Sequence, residues 1–344
     1  MNATMTTGIG YRAGETRTAA SPLIEAHGLT KHYDGFSLRG IDLAVEPGQI
    51  LGFIGQNGAG KSTTIKALLG LIARDGGTAT VLGTPAEDLA RGAAAVKEQV
   101  GVVFDAISMP SHLRVGEVGK LVRRAYRTWN QAAHEDYLRR FGLTDPKKTV
   151  KDLSRGMGMK LSLACALSHG ARLLILDEAT AGLDPMARDE VLDILRDFVS
   201  VEDAAGNPVN GILMSSHITS DLDKIADTIL CIDAGRPVFQ MPKDEITDIM
   251  GVARCRERDV ERVLASGVLG EGPGRLLRHE YGIDLLVPDR FAFAESFTDI
   301  PCDRMTIDDY MALMLKGERA TGAGMQPSMS TATRPAHFAK GGDR

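Results

Sequence analysis

Five short runs of this chain are apolar almost throughout: residues 50–54 (Ile-Leu-Gly-Phe-Ile), 100–104 (Val-Gly-Val-Val-Phe), 173–176 (Leu-Leu-Ile-Leu), 212–215 (Ile-Leu-Met-Ser) and 228–232 (Thr-Ile-Leu-Cys-Ile). A strand wetted on one face alternates apolar and polar residues, so a run without alternation must be covered on both faces. The segments between these runs carry helical periodicity. The expected fold class is therefore α/β, with a mainly parallel sheet buried between helices. A length of 344 residues allows roughly two domains, or one large α/β domain with an appendage. No apolar run approaches the ~18 residues that span a bilayer, and residues 1–21 lack a signal-like apolar stretch, so neither a membrane span nor a signal peptide is expected.

Composition shifts suggest the divisions. Residues 1–21 and 318–344 are small and polar and read as flexible tails. Residues 22–250 hold the five runs. Within them an Arg- and Lys-rich stretch with apolar residues at helical spacing marks a helical insertion at about 105–165. Residues 251–317 read as a small α+β unit: residues 275–287 suit a strand pair, and Ile307, Tyr310, Met311, Met314 and Leu315 fall on one helix face. Lys and Arg total 40 against 45 Asp and Glu, a net charge of -5, so no nucleic-acid partner is expected. Cys165, Cys231, Cys255 and Cys302 show no paired spacing, which argues against a zinc site or a disulfide framework.

The 38 glycines, about 11% of the chain against a usual ~7%, are the one compositional excess. Their most informative cluster is Gly55-Gln56-Asn57-Gly58-Ala59-Gly60-Lys61-Ser62, followed by Thr63. An apolar run precedes it, and Ile65, Leu68, Leu69 and Ile72 follow at helical spacing. Glycines let successive backbone N–H groups approach phosphate oxygens, and the helix that opens at Lys61 adds its positive end. Lys61 suits the β- and γ-phosphates, and the Ser62 hydroxyl suits Mg²⁺. A second signal is the run 173–176 ending in Asp177-Glu178, two carboxylates at the carboxyl edge of the sheet. Asp177 suits the metal ion, and Glu178 suits a water attacking the γ-phosphate.

Together these residues resemble the nucleotide-binding subunit of an ATP-binding cassette (ABC) transporter, over about residues 23–245. Leu153-Ser154-Arg155-Gly156-Met157 resembles the family's signature, Ala181-Gly182-Leu183-Asp184 its D-loop, His217 its switch histidine, and Tyr33 the aromatic that stacks on adenine. The resemblance implies a P-loop fold of ABC type with an N-terminal antiparallel β part. It implies Glu178, His217 and Lys61 as catalytic residues, and Tyr33, residues 55–63, Ser154, Gly156 and Asp184 as nucleotide contacts. ATP and Mg²⁺ are the implied cofactors; no guanine-recognition sequence follows Lys61. In this family two subunits sandwich two ATP molecules head to tail, so a chain with one set of motifs implies a homodimer or heterodimer.

Three positions depart from the pattern, one of them Met157, which stands where the signature has a glutamine. Asp105 stands where the family's Q-loop glutamine is expected and is a third candidate for the metal, beside Ser62 and Asp177. Arg155 replaces a signature glycine and either strengthens phosphate binding or points to solvent. The variants look like those of bacterial ABC-2-type exporters of drugs or antimicrobial peptides. That resemblance implies a separately encoded permease, gripped by residues 105–127, and a location at the cytoplasmic face of the cell membrane. The alternatives are a soluble ABC ATPase acting on ribosomes or nucleic acid, and a nucleotide-binding regulator with little turnover.

Overall fold

The computed structural model describes residues 21–270 and 274–320. The tails expected at 1–21 and 318–344 fall mostly outside these residues. The chain divides into two units between Met241 and Pro242.

In the first unit the order is β1 (Ile24–Tyr33), β2 (Phe36–Val45), β3 (Ile50–Ile54), α1 (Lys61–Leu68), β4 (Gly76–Val81), β5 (Thr84–Pro85), α2 (Ala86–Arg91), α3 (Ala94–Lys97) and β6 (Val100–Val103). There follow α4 (Val115–Val122), α5 (Gln131–Arg140), α6 (Arg155–Leu167), β7 (Leu173–Asp177), α7 (Pro185–Val199), β8 (Gly211–Ser215), α8 (Thr219–Ile225), β9 (Thr228–Asp233) and β10 (Arg236–Pro242). An antiparallel sheet in the order β2-β1-β4-β5 forms the N-terminal β part. The second sheet runs β10-β9-β3-β8-β7-β6, with β9, β3, β8, β7 and β6 mutually parallel. These are the five apolar runs, and β3, β7 and β8 are buried at every position, as runs without alternation require. Phe53, Leu51 and Ile65 sit fully buried in a core shared by both sheets. The expected insertion is α4, α5 and α6, with a short 3₁₀ turn at Val150–Asp152.

The second unit contains β11 (Gly251–Cys255), α9 (Glu257–Ser266), β12 (Gly274–His279), β13 (Gly282–Val287), α10 (Arg290–Ser296), β14 (Cys302–Arg304), α11 (Ile307–Lys316) and β15 (Glu318–Ala320). Its antiparallel sheet has the order β14-β11-β13-β12-β15, over a core that includes Val263, Leu285 and Phe293. Two details differ from the sequence reading. The unit begins before the expected 250/251 boundary, because the turn Glu245–Ile249 is bound to it: Arg304 Nε donates to Thr247 O at 2.6 Å and Arg304 Nη2 to Asp248 Oδ1 at 2.5 Å. Residues 318–320, expected in the tail, pair with β12 as β15. Among the described residues no helix is long and apolar enough to cross a membrane.

Candidate active site

The sheet order builds the site. β3, β8 and β7 are neighbours and parallel, so their carboxyl ends lie side by side at strand spacings of about 4.8 Å. The glycine loop leaves β3, Ser215 and His217 leave β8, and Asp177 and Glu178 leave β7. Residues far apart in sequence thus meet at one edge, where open α/β sheets bind ligands.

The loop's shape depends on missing side chains. Gly60 has φ +113°, and a Cβ there would lie 2.6 Å from Leu38 Cδ2 and 2.8 Å from Phe36 Cζ. A Cβ on Gly55 would come within 2.3 Å of Ile232 O. The chain then enters α1, whose first residue, Lys61, is 7% exposed. Lys61 Nζ donates to Gly55 O at 2.8 Å, which curls the side chain back over the loop, and stands 3.9 Å from Glu178 Oε1. Ser62 is exposed on the first turn. Tyr33 pairs with Phe36 across the β1–β2 hairpin, and its half-exposed ring lies under Lys31 Nζ, 5.4 Å from the ring centroid, while Phe36 approaches Gly60.

Asp177 is buried, and its Oδ1 accepts from the Ser215 hydroxyl at 2.5 Å. Glu178 holds a left-handed backbone, φ +57°, a conformation costly for a residue with a Cβ and typical of functional sites. Its amide donates to Ser215 O at 3.1 Å and Oγ at 3.3 Å. Its Oε2 accepts from the His217 amide at 3.2 Å and lies 2.5 Å from His217 Nδ1. Lys61, Glu178 and His217 therefore form one chain of contacts, with Asp177 and Ser215 beneath it. Ser215 was not singled out in the sequence, because a hydroxyl at a strand end carries no pattern of its own.

The signature and D-loop residues form a second group. Ser154 caps α6, its Oγ accepting from the Met157 amide at 3.2 Å. A Cβ on Gly156 would lie 2.6 Å from Gly182 O, so the start of α6 rests on the D-loop. Asp184 caps α7 by accepting from the Ala187 amide at 3.0 Å, and that bond holds its carboxyl below the usual range. Among the described residues no hydrogen bond or ion pair joins Ser154 or Gly156 to Lys61. Behind the D-loop, Asp221 is buried in α8 beside Thr180, and its Oδ2 lies 3.7 Å from Arg188 Nε. Burial pushes the Asp221 carboxyl up, against the Thr180 hydroxyl and the Arg188 charge.

Asp105, the third metal candidate, is paired elsewhere: its carboxylate accepts from Arg155 Nη2, and among the described residues no hydrogen bond or ion pair joins it to Ser62 or Asp177. Arg155 correspondingly does not point freely to solvent but is paired with Asp105. The segment after β6 also borders a groove of about 430 Å³ lined by Phe104, Met109, Leu121, Arg124, Tyr126 and His169. Tyr126 and His169 stack with ring centroids 4.0 Å apart. His169 Nδ1 donates to Glu98 O at 3.0 Å, and burial holds its pKa below the ordinary value.

A family model described as ABC transporter matches residues 38–181. The daunorubicin/doxorubicin resistance ATP-binding protein of Streptomyces peucetius is 35% identical over 251 residues, 71% of this chain and 73% of that protein. The bacitracin transport ATP-binding protein of Bacillus licheniformis is 31% identical over 228 residues, 66% of this chain and 72% of that protein. A solved structure of the ATP binding subunit of an ABC transporter covers 65% of this chain and 91% of its own, with a TM-score of 0.57 and 29% identity. The chain belongs to the ABC transporter family, as an ATP-binding subunit with ATPase activity.

Proposed function

We propose that this chain powers an exporter. Two copies, or one copy and a close relative, close head to tail over two ATP molecules, and closure drives a separately encoded permease from the cytoplasmic face of the membrane. The observation that carries the reading is the contact chain Lys61–Glu178–His217 at the carboxyl edge of the buried sheet, with Ser154 and Gly156 held apart beside the D-loop. A site split this way is completed by a second subunit.

Lys61 and the backbone amides of residues 56–63 hold the β- and γ-phosphates, and Tyr33 stacks on the base. Glu178 is placed to take a proton from the attacking water. Its Oε2 is fixed by the His217 amide and ring, so the lone pairs of Oε1 remain for the water. His217 orients the γ-phosphate, and the partner subunit's signature closes over it. For Mg²⁺ the fitting donors are the Ser62 hydroxyl and the Asp177 carboxylate, both hard oxygens. Mg²⁺ commonly keeps several waters and takes substrate phosphate oxygens, so one or two protein oxygens are enough to hold it. When bound, Mg²⁺ neutralises charge that develops on the phosphate oxygens.

The names of the two relatives, drug resistance and bacitracin transport, support an amphipathic drug or peptide as cargo. The groove beside Phe104 and Tyr126 suits a permease segment with an apolar side chain, with Arg124 at hand for an acidic neighbour. The net charge of -5 and the single phosphate loop disfavour a role on ribosomes or nucleic acid. The test is phosphate release by the purified chain with its permease in vesicles. Turnover well above that of Glu178→Gln is expected; equal release from the two would defeat the proposal.

A further inference from the structure

Two of the residues that depart from the family's pattern meet in space. Asp105 follows β6 and Arg155 opens α6, 50 residues later, and their side chains form an ion pair. A lone cation on the first turn of a helix faces the positive end of the helix dipole, whereas a carboxylate there is favoured. Asp105 supplies that carboxylate and neutralises Arg155. Two further contacts tighten the junction. Ile107 lies so close to α6 that a Cβ on Gly158 would fall 1.9 Å from its Cδ1. On the other side the stem of Arg155 lines the D-loop, 3.4 Å from where a Cβ on Gly182 would stand.

We propose that Asp105 and Arg155 are a positioning pair. Together they hold the N-terminus of α6, and with it Ser154 and Gly156, in register with the segment leaving β6. The two departures thus compensate each other, replacing a glutamine–glycine combination by a charge pair. That same segment borders the groove through Phe104 and Met109, so the pair ties the groove wall to the signature. The inference rests on the reading that Ser154 and Gly156 face a nucleotide held by a second subunit.

The full chain in a Glu178→Gln background allows ATP-dependent dimerisation to be measured by sedimentation. Both side chains are 56% exposed, so the effect belongs to the modest range of surface pairs. Asp105→Asn and Arg155→Gln are each expected to weaken the dimer about three- to fivefold. The exchange Asp105→Arg with Arg155→Asp is expected to return it to within about twofold of the parent. If Arg155 instead bound phosphate directly, the exchange would set a carboxylate before the phosphate and give the weakest dimer of the series, which would overturn the proposal. Hydrogen exchange of the amides of residues 155–158 in the nucleotide-free chain gives a second readout. Faster exchange in each single variant and recovery in the exchanged one are expected; unchanged protection in the single variants would also overturn it. A parent that fails to dimerise with ATP would sink the reading of Ser154 and Gly156, and the amide measurement would still decide the pair.

Discussion

Ser215→Ala tests whether the buried hydroxyl holds the Asp177 carboxylate in place. Ser215 is fully buried, and its Oγ donates to Asp177 Oδ1 at 2.5 Å while accepting from the Glu178 amide at 3.3 Å. Alanine keeps the backbone and most of the volume, so the change removes little besides these two bonds. A hydrogen bond to a charged group contributes about 1.5–3 kcal/mol, and the longer neutral one less than about 1 kcal/mol. The expected loss is about 2–3 kcal/mol, because Asp177 stays buried with one partner fewer. At about 2–4 °C per kcal/mol for a unit of this size, the cassette's Tm should fall by roughly 4–12 °C. Urea unfolding of the parent, Ser215→Ala, Asp177→Asn and the double variant isolates the pair, with an expected coupling of about 1.5–2 kcal/mol. The Mg²⁺ concentration for half-maximal ATPase activity should also rise by about tenfold or more, since the group that orients a metal ligand is gone. A Ser215→Ala loss below ~0.5 kcal/mol, with additive single effects, would refute the reasoning.

Three further outcomes follow from the same geometry. His217→Ala, which removes the ring beside Glu178 Oε2, should lower kcat by about 10²–10⁴-fold with KM changed far less, as read from steady-state phosphate release. Burial pushes the Cys165 and Cys231 thiols up to about 12, so at pH 8 only about one in 10⁴ is thiolate. Iodoacetamide should therefore label neither until the chain unfolds, which peptide mass spectrometry would detect. The Asp221 carboxyl is raised in the folded chain by burial, so its contribution to stability is full below the unfolded value near 3.8 and is lost as pH rises through the folded value. Asp221→Asn removes that loss, so its stability relative to the parent should climb as pH rises above about 4 in urea titrations; a flat difference would contradict the assignment.

The fold and the catalytic cluster were legible for different reasons. The five buried strands announce themselves because a sheet covered on both faces tolerates no polar alternation. The phosphate loop is legible because its chemistry is local: Gly55, Gly58, Gly60, Lys61 and Ser62 act within one turn of chain. The meeting of Lys61, Glu178 and His217 needed the strand order β3-β8-β7, which no local pattern encodes, and the family resemblance supplied it. Where that resemblance failed, at Asp105 and Arg155, single-residue reasoning assigned one to the metal and left the other between phosphate and solvent. Their mutual pairing is a tertiary fact, visible only once β6 and α6 are side by side. The boundary between the units was misplaced for a similar reason, since Glu245–Ile249 carries no compositional break and is claimed by Arg304 across the second unit.

The central claim, that each nucleotide site is shared between two chains, is tested most directly by mixing two defective variants. In a Glu178→Gln background, chains with Lys61→Ala lack the phosphate lysine and chains with Ser154→Arg lack the signature, and neither alone should retain ATP through gel filtration. A head-to-tail heterodimer of the two has one site with both defects and one with neither. Random pairing of equal amounts should then recover about a quarter of the ATP retained by the Glu178→Gln parent. A mixture that retains none, while the parent retains ATP as a dimer, would contradict the account.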